Sequence, residues 1–117
     1  MVDKKIISAY SKLINSDVVK NIYPMIDHIE ILEFKENPRF NNAYNMSVNI
    51  YLNDPTITKN NMYEKNFDPF YLVEHHLKDL SKYLGLEFAK IGFKVYGPDK
   101  DLILSWTWWI DSTLLYL

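Results

Sequence analysis

The sequence predicts a single α+β domain over residues 1–117, with two helices packed on one face of a four-stranded, mainly antiparallel sheet. Three observations predict this class: two segments with helical apolar spacing, four strand-like segments, and turn residues that separate them in the order αββαββ. With 117 residues, 48% hydrophobic and 24% charged, the chain also has the length and composition of one globular domain.

The first helix is predicted over residues 3–15. Asp3 is a suitable N-cap, and apolar residues then recur at helical spacing, namely Ile6, Ile7, Tyr10, Leu13 and Ile14. Ser16 can cap a further short turn, which Pro24 would end.

A hairpin is expected next, with strands at 26–35 and 44–52 around the turn ENPRFNN. The second strand alternates most clearly, because apolar residues occupy every other position: Tyr44, Met46, Val48, Ile50 and Leu52. This pattern is typical of a sheet with one face on the core and one in water. Residues 53–68 are polar and without period, and a connection of this length is often functional or mobile.

The second helix has a signal at each end, because Asp68 can serve as its N-cap, Pro69 as its first residue and Gly85 as its C-cap. Its predicted apolar stripe is Phe70, Val73, Leu77, Leu80 and Leu84, widened on one flank by Leu72, His76 and Tyr83. Two strands follow at 86–96 and 102–110, joined by GPDKD. Gly92 within the first of them predicts a bulge or a close backbone approach.

The last strand is apolar on both sides. Its even positions are predicted to face the core, namely Leu102, Leu104, Trp106, Trp108 and Ile110. Its odd positions, Ile103, Ser105, Thr107 and Trp109, would share the opposite face with Tyr51.

Composition argues against several classes of function. The net charge of −2 and the single arginine, Arg39, oppose a nucleic-acid surface. The chain has no cysteine, so disulfides and thiolate metal sites are excluded, and its three glycines fit no nucleotide-binding motif. We therefore expect no cofactor. No apolar run is long enough to span a membrane and no secretory signal is recognisable, so a cytoplasmic location is expected.

The histidines provide a weak case for catalysis or metal binding. In VEHHLKD, helical spacing lets His75 meet Asp79 and turns His76 toward the apolar flank, which leaves too few converging ligands for a metal. In DHIE, His28 and Glu30 would point one way and Asp27 the other. His28, Glu30 and a helix histidine could form an acid and base pair only if the fold brought them together.

The aromatic stretch SWTWWIDSTLLYL, residues 105–117, is the clearest candidate for a contact surface. Such a segment packs either on its own domain or on a partner, and tryptophan and tyrosine are frequent interface anchors. The predicted protein interface consists of Trp106, Trp108, Trp109, Leu114, Leu115, Tyr116 and Leu117. If this interface exists, removing residues 112–117 should leave a folded monomer that no longer associates.

These observations predict a non-enzymatic structural or assembly protein that acts through protein–protein contacts, with another protein or with its own copies. Abundant Asn, Lys, Ile and Tyr indicate an AT-rich genome, for which a small virion or accessory protein of a tailed phage is a specific hypothesis. Two alternatives remain open: a small phage inhibitor of a host protein, and a small enzyme or metal-binding domain that uses the histidines.

Overall fold

The computed structural model describes residues 3–39 and 43–109, which form one four-stranded sheet with helices on one face. The chain begins with helices α1 (Lys4–Ile14) and α2 (Asp17–Lys20), followed by strands β1 (Ile26–Glu36) and β2 (Ala43–Leu52). A composite helix over residues 69–84 leads to β3 (Glu87–Tyr96) and β4 (Leu102–Trp109). The α+β class and the αββαββ order of the long elements are confirmed.

The sheet has the spatial order β1-β2-β3-β4 and is mixed. β1 and β2 pair antiparallel, as do β3 and β4, whereas the central strands β2 and β3 pair parallel, from Ala43 opposite Glu87 to Tyr51 opposite Tyr96. A parallel pair needs a long crossover connection, which residues 53–86 provide. The sheet is thus two hairpins joined side by side.

Helix α1 has the predicted N-cap, because the Asp3 side chain accepts a hydrogen bond from the Lys5 amide at 2.8 Å. Tyr10 and Ile14 are its buried residues and lie on the predicted stripe. Ser16 precedes α2 but does not cap it, since its hydroxyl donates back to the Leu13 carbonyl at 2.6 Å.

The composite helix has both predicted ends and an unpredicted interior. The Asp68 carboxylate accepts from the Phe70 and Tyr71 amides at 3.0 and 3.1 Å, and Gly85 closes the helix in the left-handed conformation, with φ of 66°. Between these ends the backbone is α-helical at Pro69–Tyr71, π-helical at Leu72–Leu77, α-helical at Lys78–Leu80 and 3₁₀-helical at Ser81–Leu84.

The π-turn changes which side chains face the sheet. Leu72 and Leu77 stand five residues apart, and both are fully buried. The wider turn and the following 3₁₀ segment rotate the end of the helix, so that Tyr83 is 81% exposed. Its predicted place beside the apolar stripe was therefore wrong.

The polar segment 53–68 is fastened to the core by three buried apolar side chains, Ile57, Met62 and Phe67. Local hydrogen bonds complete it: Asp54 accepts from the Thr56 amide at 2.8 Å, and Asn61 accepts from the Thr58 amide at 2.7 Å. The segment is therefore a packed strap, and its anchors are too widely spaced to give a periodic signal.

Candidate functional site

Strand β4 is an edge strand with side chains on both faces of the sheet. Trp106 and Trp108 lie opposite Phe93 and Ile91, on the face that the helices cover. Trp109 lies opposite Lys90 on the other face, which we call the open face, and the Lys90 ammonium is 5.0 Å from the centre of its ring.

The helical layer stops short of β4. Trp106 meets the composite helix edge to face through Phe70, with ring centres 5.9 Å apart, yet 59% of Trp106 is exposed. Trp108 is half-buried beneath the Lys78 ammonium, at 5.3 Å. The prediction that this face of β4 belongs to the core therefore fails at Trp106, because at the sheet edge its contact with Phe70 leaves most of the indole exposed.

An irregularity at the start of β4 changes two further assignments. The register shifts between the pairs Val95–Leu104 and Tyr96–Leu102, so Leu102 joins Tyr96 on the open face and is 56% exposed. Ile103, predicted on the opposite face, packs instead against the core. A bulge reverses the alternation of faces at one point, and hydrophobic periodicity alone does not reveal it.

The opposite edge of the sheet, on β1, is capped by a side chain at Ile29. Asn15, which follows α1, accepts from the Ile29 amide at 2.6 Å and donates to the Ile29 carbonyl at 2.9 Å, so its carboxamide takes the place of a neighbouring strand. β1 also carries charged side chains and two register shifts, around Asp27 and Leu32. Charges, bulges and covering groups are the usual devices that keep a sheet edge from pairing with another chain.

The outer edge of β4 has only one of these devices, the bulge at Ile103, and from Leu104 to Trp109 the strand is regular. Residues 102–109, LILSWTWW, include no charged side chain and no proline. Within the ranges 3–39 and 43–109, β3 is the only strand that pairs with β4. Among the described residues, β1 is therefore an edge with a cap and charges, whereas β4 is an apolar edge with no charge, no proline and no strand on its outer side; we call the latter the free edge.

The open face is mainly polar, with an aromatic row at one end. His28, Tyr51 and Tyr96 stack across three strands, with ring centres 4.6 and 5.4 Å apart. The Tyr51 hydroxyl is 3.4 Å from Glu30 Oε1, which confirms that His28 and Glu30 share a face. Asp27 was predicted to point the other way, but the bulge places its carboxylate 2.5 Å from His28 Nδ1.

Asn49 lies in the centre of the open face and is only 9% exposed. Its Nδ2 donates to the Tyr51 hydroxyl at 3.2 Å, while its Oδ1 has no partner among the described residues. Its cross-strand neighbours are Glu30 and Lys94, and the next row of the same face holds small side chains, Ser47 and Thr107 on either side of Gly92.

The histidines are not brought together. His28 lies on the open face, whereas His75 and His76 lie on the composite helix, on the other side of the sheet. His75 is 4.0 Å from Glu74, and Asp79 pairs with Lys82 at 3.5 Å rather than forming the expected contact with His75. Over the described ranges, no group of three or more His, Cys, Asp or Glu side chains could hold a metal ion.

The surroundings of His76 lower its pKa. Its ring is half-buried and touches the rings of Tyr23 and Tyr71, with centres 5.5 and 5.4 Å apart. Desolvation lowers the pKa of His76, and His75 next to it lowers it further, while Asp79 opposes the shift. This side chain serves packing, as expected for a histidine on an apolar flank.

Part of the predicted interface falls within the described residues. Trp106, Trp108 and Trp109 lie together on β4, whereas Leu114, Leu115, Tyr116 and Leu117 fall outside the described ranges. The sequence did not single out Asn15 or Leu102, because an edge cap and a bulge depend on which strands become neighbours.

Comparison with protein-family models, with curated proteins and with solved structures found no match to this chain. Of the helices in the described ranges, none has the length and hydrophobicity needed to cross a bilayer.

Proposed function

We propose that the protein is a non-enzymatic structural or assembly component that binds another protein chain along the free edge of β4. The observation that carries this proposal is the contrast between the two edges of the sheet. Asn15 caps β1 at Ile29 and several charged side chains lie along that strand. In contrast, β4 has no charge and has two tryptophans that are more than half exposed. Natural sheets normally protect such an edge unless it is used.

The mode of binding follows from this geometry. A strand added beside β4 would use its unpaired backbone groups for hydrogen bonds, which give affinity, and would cover alternate side chains, which give specificity. Trp106 would be the main anchor on the helix side, since large aromatic side chains that become fully desolvated dominate interface energetics. The virion or accessory role suggested by the AT-rich composition belongs to the same proposal.

A capture experiment tests it. Immobilised wild-type protein, the Trp106→Lys variant and the Tyr63→Lys variant are exposed to extracts of the producing cells, and retained proteins are compared. Tyr63 is the matched control because it is 62% exposed and belongs to the strap rather than to β4. We expect a partner that wild type and Tyr63→Lys retain and Trp106→Lys loses, together with slower hydrogen exchange at residues 102–109 in the complex.

Two results would contradict the proposal. One is that the three baits retain the same proteins in the same amounts. The other is that the complex protects amides elsewhere and leaves residues 102–109 unchanged. Circular dichroism of each bait confirms that a lost partner reflects the surface and not unfolding.

A further inference from the structure

We infer that the strand that pairs with the free edge is β4 of a second copy of this chain, in antiparallel orientation about a two-fold axis at Trp106. The product would be a continuous eight-stranded sheet with all helices on one face. This inference rests on the proposed function and adds the identity of the partner and the register of the contact.

Charge is the first argument for a second copy. A two-fold contact sets residue i against residue j and j against i, so a strand whose charges are mostly of one sign brings like charges close together in its own copy. β4 has no charged side chain over residues 102–109 and can meet its own copy without this cost. β1 would do so at a cost, since it has four carboxylates, at Asp27, Glu30, Glu33 and Glu36, and one lysine, Lys35.

The alternation of faces restricts the register. Residues directly opposite each other in an antiparallel pair lie on the same face of the sheet. In a two-fold pair of identical strands, one residue must therefore lie opposite its own counterpart in the second copy, and the axis passes between these two. The regular part of β4 begins at Leu104, after the bulge. An axis at Trp106 pairs Leu104 with the second copy's position 108 and Ser105 with its position 107, so that residues 104–108 are all paired.

The side chains in this register match. On the helix side, Trp106 meets its own copy, flanked on each side by a contact between Leu104 and Trp108. Aromatic pairs and contacts between aromatic and aliphatic residues are favourable cross-strand neighbours. On the open face, the hydroxyls of Ser105 and Thr107 become neighbours and can form a hydrogen bond.

The helical layers of the two copies would then cover the tryptophan pair together. In one copy, the composite helix reaches Trp106 from one side only, through Phe70, and leaves most of the indole uncovered. In the dimer, the composite helix of each copy would flank the tryptophan pair from opposite sides. The most exposed tryptophan of the described chain would thereby become the centre of an enclosed apolar cluster.

The first test is molar mass by light scattering over a range of concentrations up to millimolar. We expect wild type and Tyr63→Lys to approach twice the 13.9 kDa chain mass. Trp106→Lys should remain a monomer, because the new ammonium groups of the two copies would lie next to each other at the axis. Wild type that stays monomeric throughout this range would overturn the inference.

Cysteine cross-linking tests the register, and the chain has no cysteine of its own to interfere. Directly opposed residues in an antiparallel pair have Cα atoms about 4.5–5.5 Å apart, within reach of a disulfide. We expect oxidation of a mixture of Ser105→Cys and Thr107→Cys to give the mixed dimer, recognisable by mass. Cross-linking of Ser105→Cys alone or Thr107→Cys alone would place the axis at that residue and contradict the proposed register.

The two proposals can fail separately. If wild type is monomeric but another protein is captured in a Trp106-dependent manner, the second copy is the wrong partner and the free edge still functions. If neither self-association nor Trp106-dependent capture is found, both proposals are wrong. Because the cross-linking variants keep all three tryptophans, the test does not depend on whether Trp106→Lys folds.

Discussion

Tyr10 shows how one residue joins the two long helices of the fold. Its hydroxyl donates to the Leu77 carbonyl, at the end of the π-turn, and its ring packs against Phe34 and Phe88 with centres 6.3 and 5.5 Å away. Burial raises the pKa of Tyr10, so the phenol stays protonated and keeps its proton for this bond. The apolar stripe predicted that Tyr10 is buried but not which carbonyl it would reach.

We expect Tyr10→Phe to lower the free energy of unfolding by about 1–3 kcal/mol, because the buried Leu77 carbonyl would lose its donor. Urea unfolding followed by tryptophan fluorescence measures the loss. Tyr63→Phe is the control, since this tyrosine is exposed and its stability change should be close to zero. Equal stability of the two variants would mean that the hydroxyl contributes nothing.

The stability of the protein should fall on mild acidification because of His76. The groups around it are His75, Asp79, Tyr23 and Tyr71. A pKa lowered in the folded state means that the unfolded chain binds the proton more readily, so stability is lost as the pH falls below about 6.5. His76→Gln should show a smaller drop in melting temperature between pH 7.5 and 5.5 than wild type.

The matched variant for this experiment is Tyr63→Phe, which changes an exposed aromatic side chain of the strap and leaves every histidine in place. It should retain the wild-type drop in melting temperature. If His76→Gln and wild type respond identically to pH, the acid sensitivity has another origin.

Among the elements, those with local signals were predicted well and those shaped by their neighbours were not. Capping by Asp3, Asp68 and Gly85 gave helix ends close to the observed ones, because caps act within one turn. The period of two in β2 likewise gave its buried face. The π-turn and the bulges at 27, 32 and 103 insert single residues, and such insertions are selected by tertiary packing rather than by local sequence.

Replacing either of two glycines by alanine should change the stability of the protein, in opposite directions at the two positions. Gly85 has φ of 66°, so Gly85→Ala should cost about 1–2 kcal/mol of stability. Gly92 has neither the bulge nor the close backbone approach that was predicted, since a Cβ there would lie 3.5 Å from Ser47 Oγ, an ordinary contact. Gly92→Ala should therefore stabilise β3 by up to about 0.5–1 kcal/mol.

Thermal unfolding of the two glycine variants beside wild type checks this pair. The sign of the change is the discriminating result, because one effect arises from backbone conformation and the other from strand entropy. A destabilised Gly92→Ala would show that the open face at Ser47 is more tightly packed than its contacts indicate.

For the molecule as a whole, the sequence predicted the number and type of elements but not the order of the strands. The parallel pairing of β2 with β3 depends on where the strap and the composite helix return the chain, and no local pattern encodes that return. The candidate site was predicted only in part, because it too depends on the order of the strands. The tryptophans were recognised from composition, whereas the free edge became visible only when β4 was placed last in the sheet and β1 was found closed by Asn15.

The parallel junction also has a consequence for biosynthesis. When β1 and β2 have left the ribosome, the edge of β2 that pairs with β3 has no partner until residues 87–96 have also emerged. Unpaired strands of folding intermediates are sites of aggregation. We therefore expect fragments that end between residues 53 and 86 to bind chaperones, and the full chain, which includes β3, to bind them less.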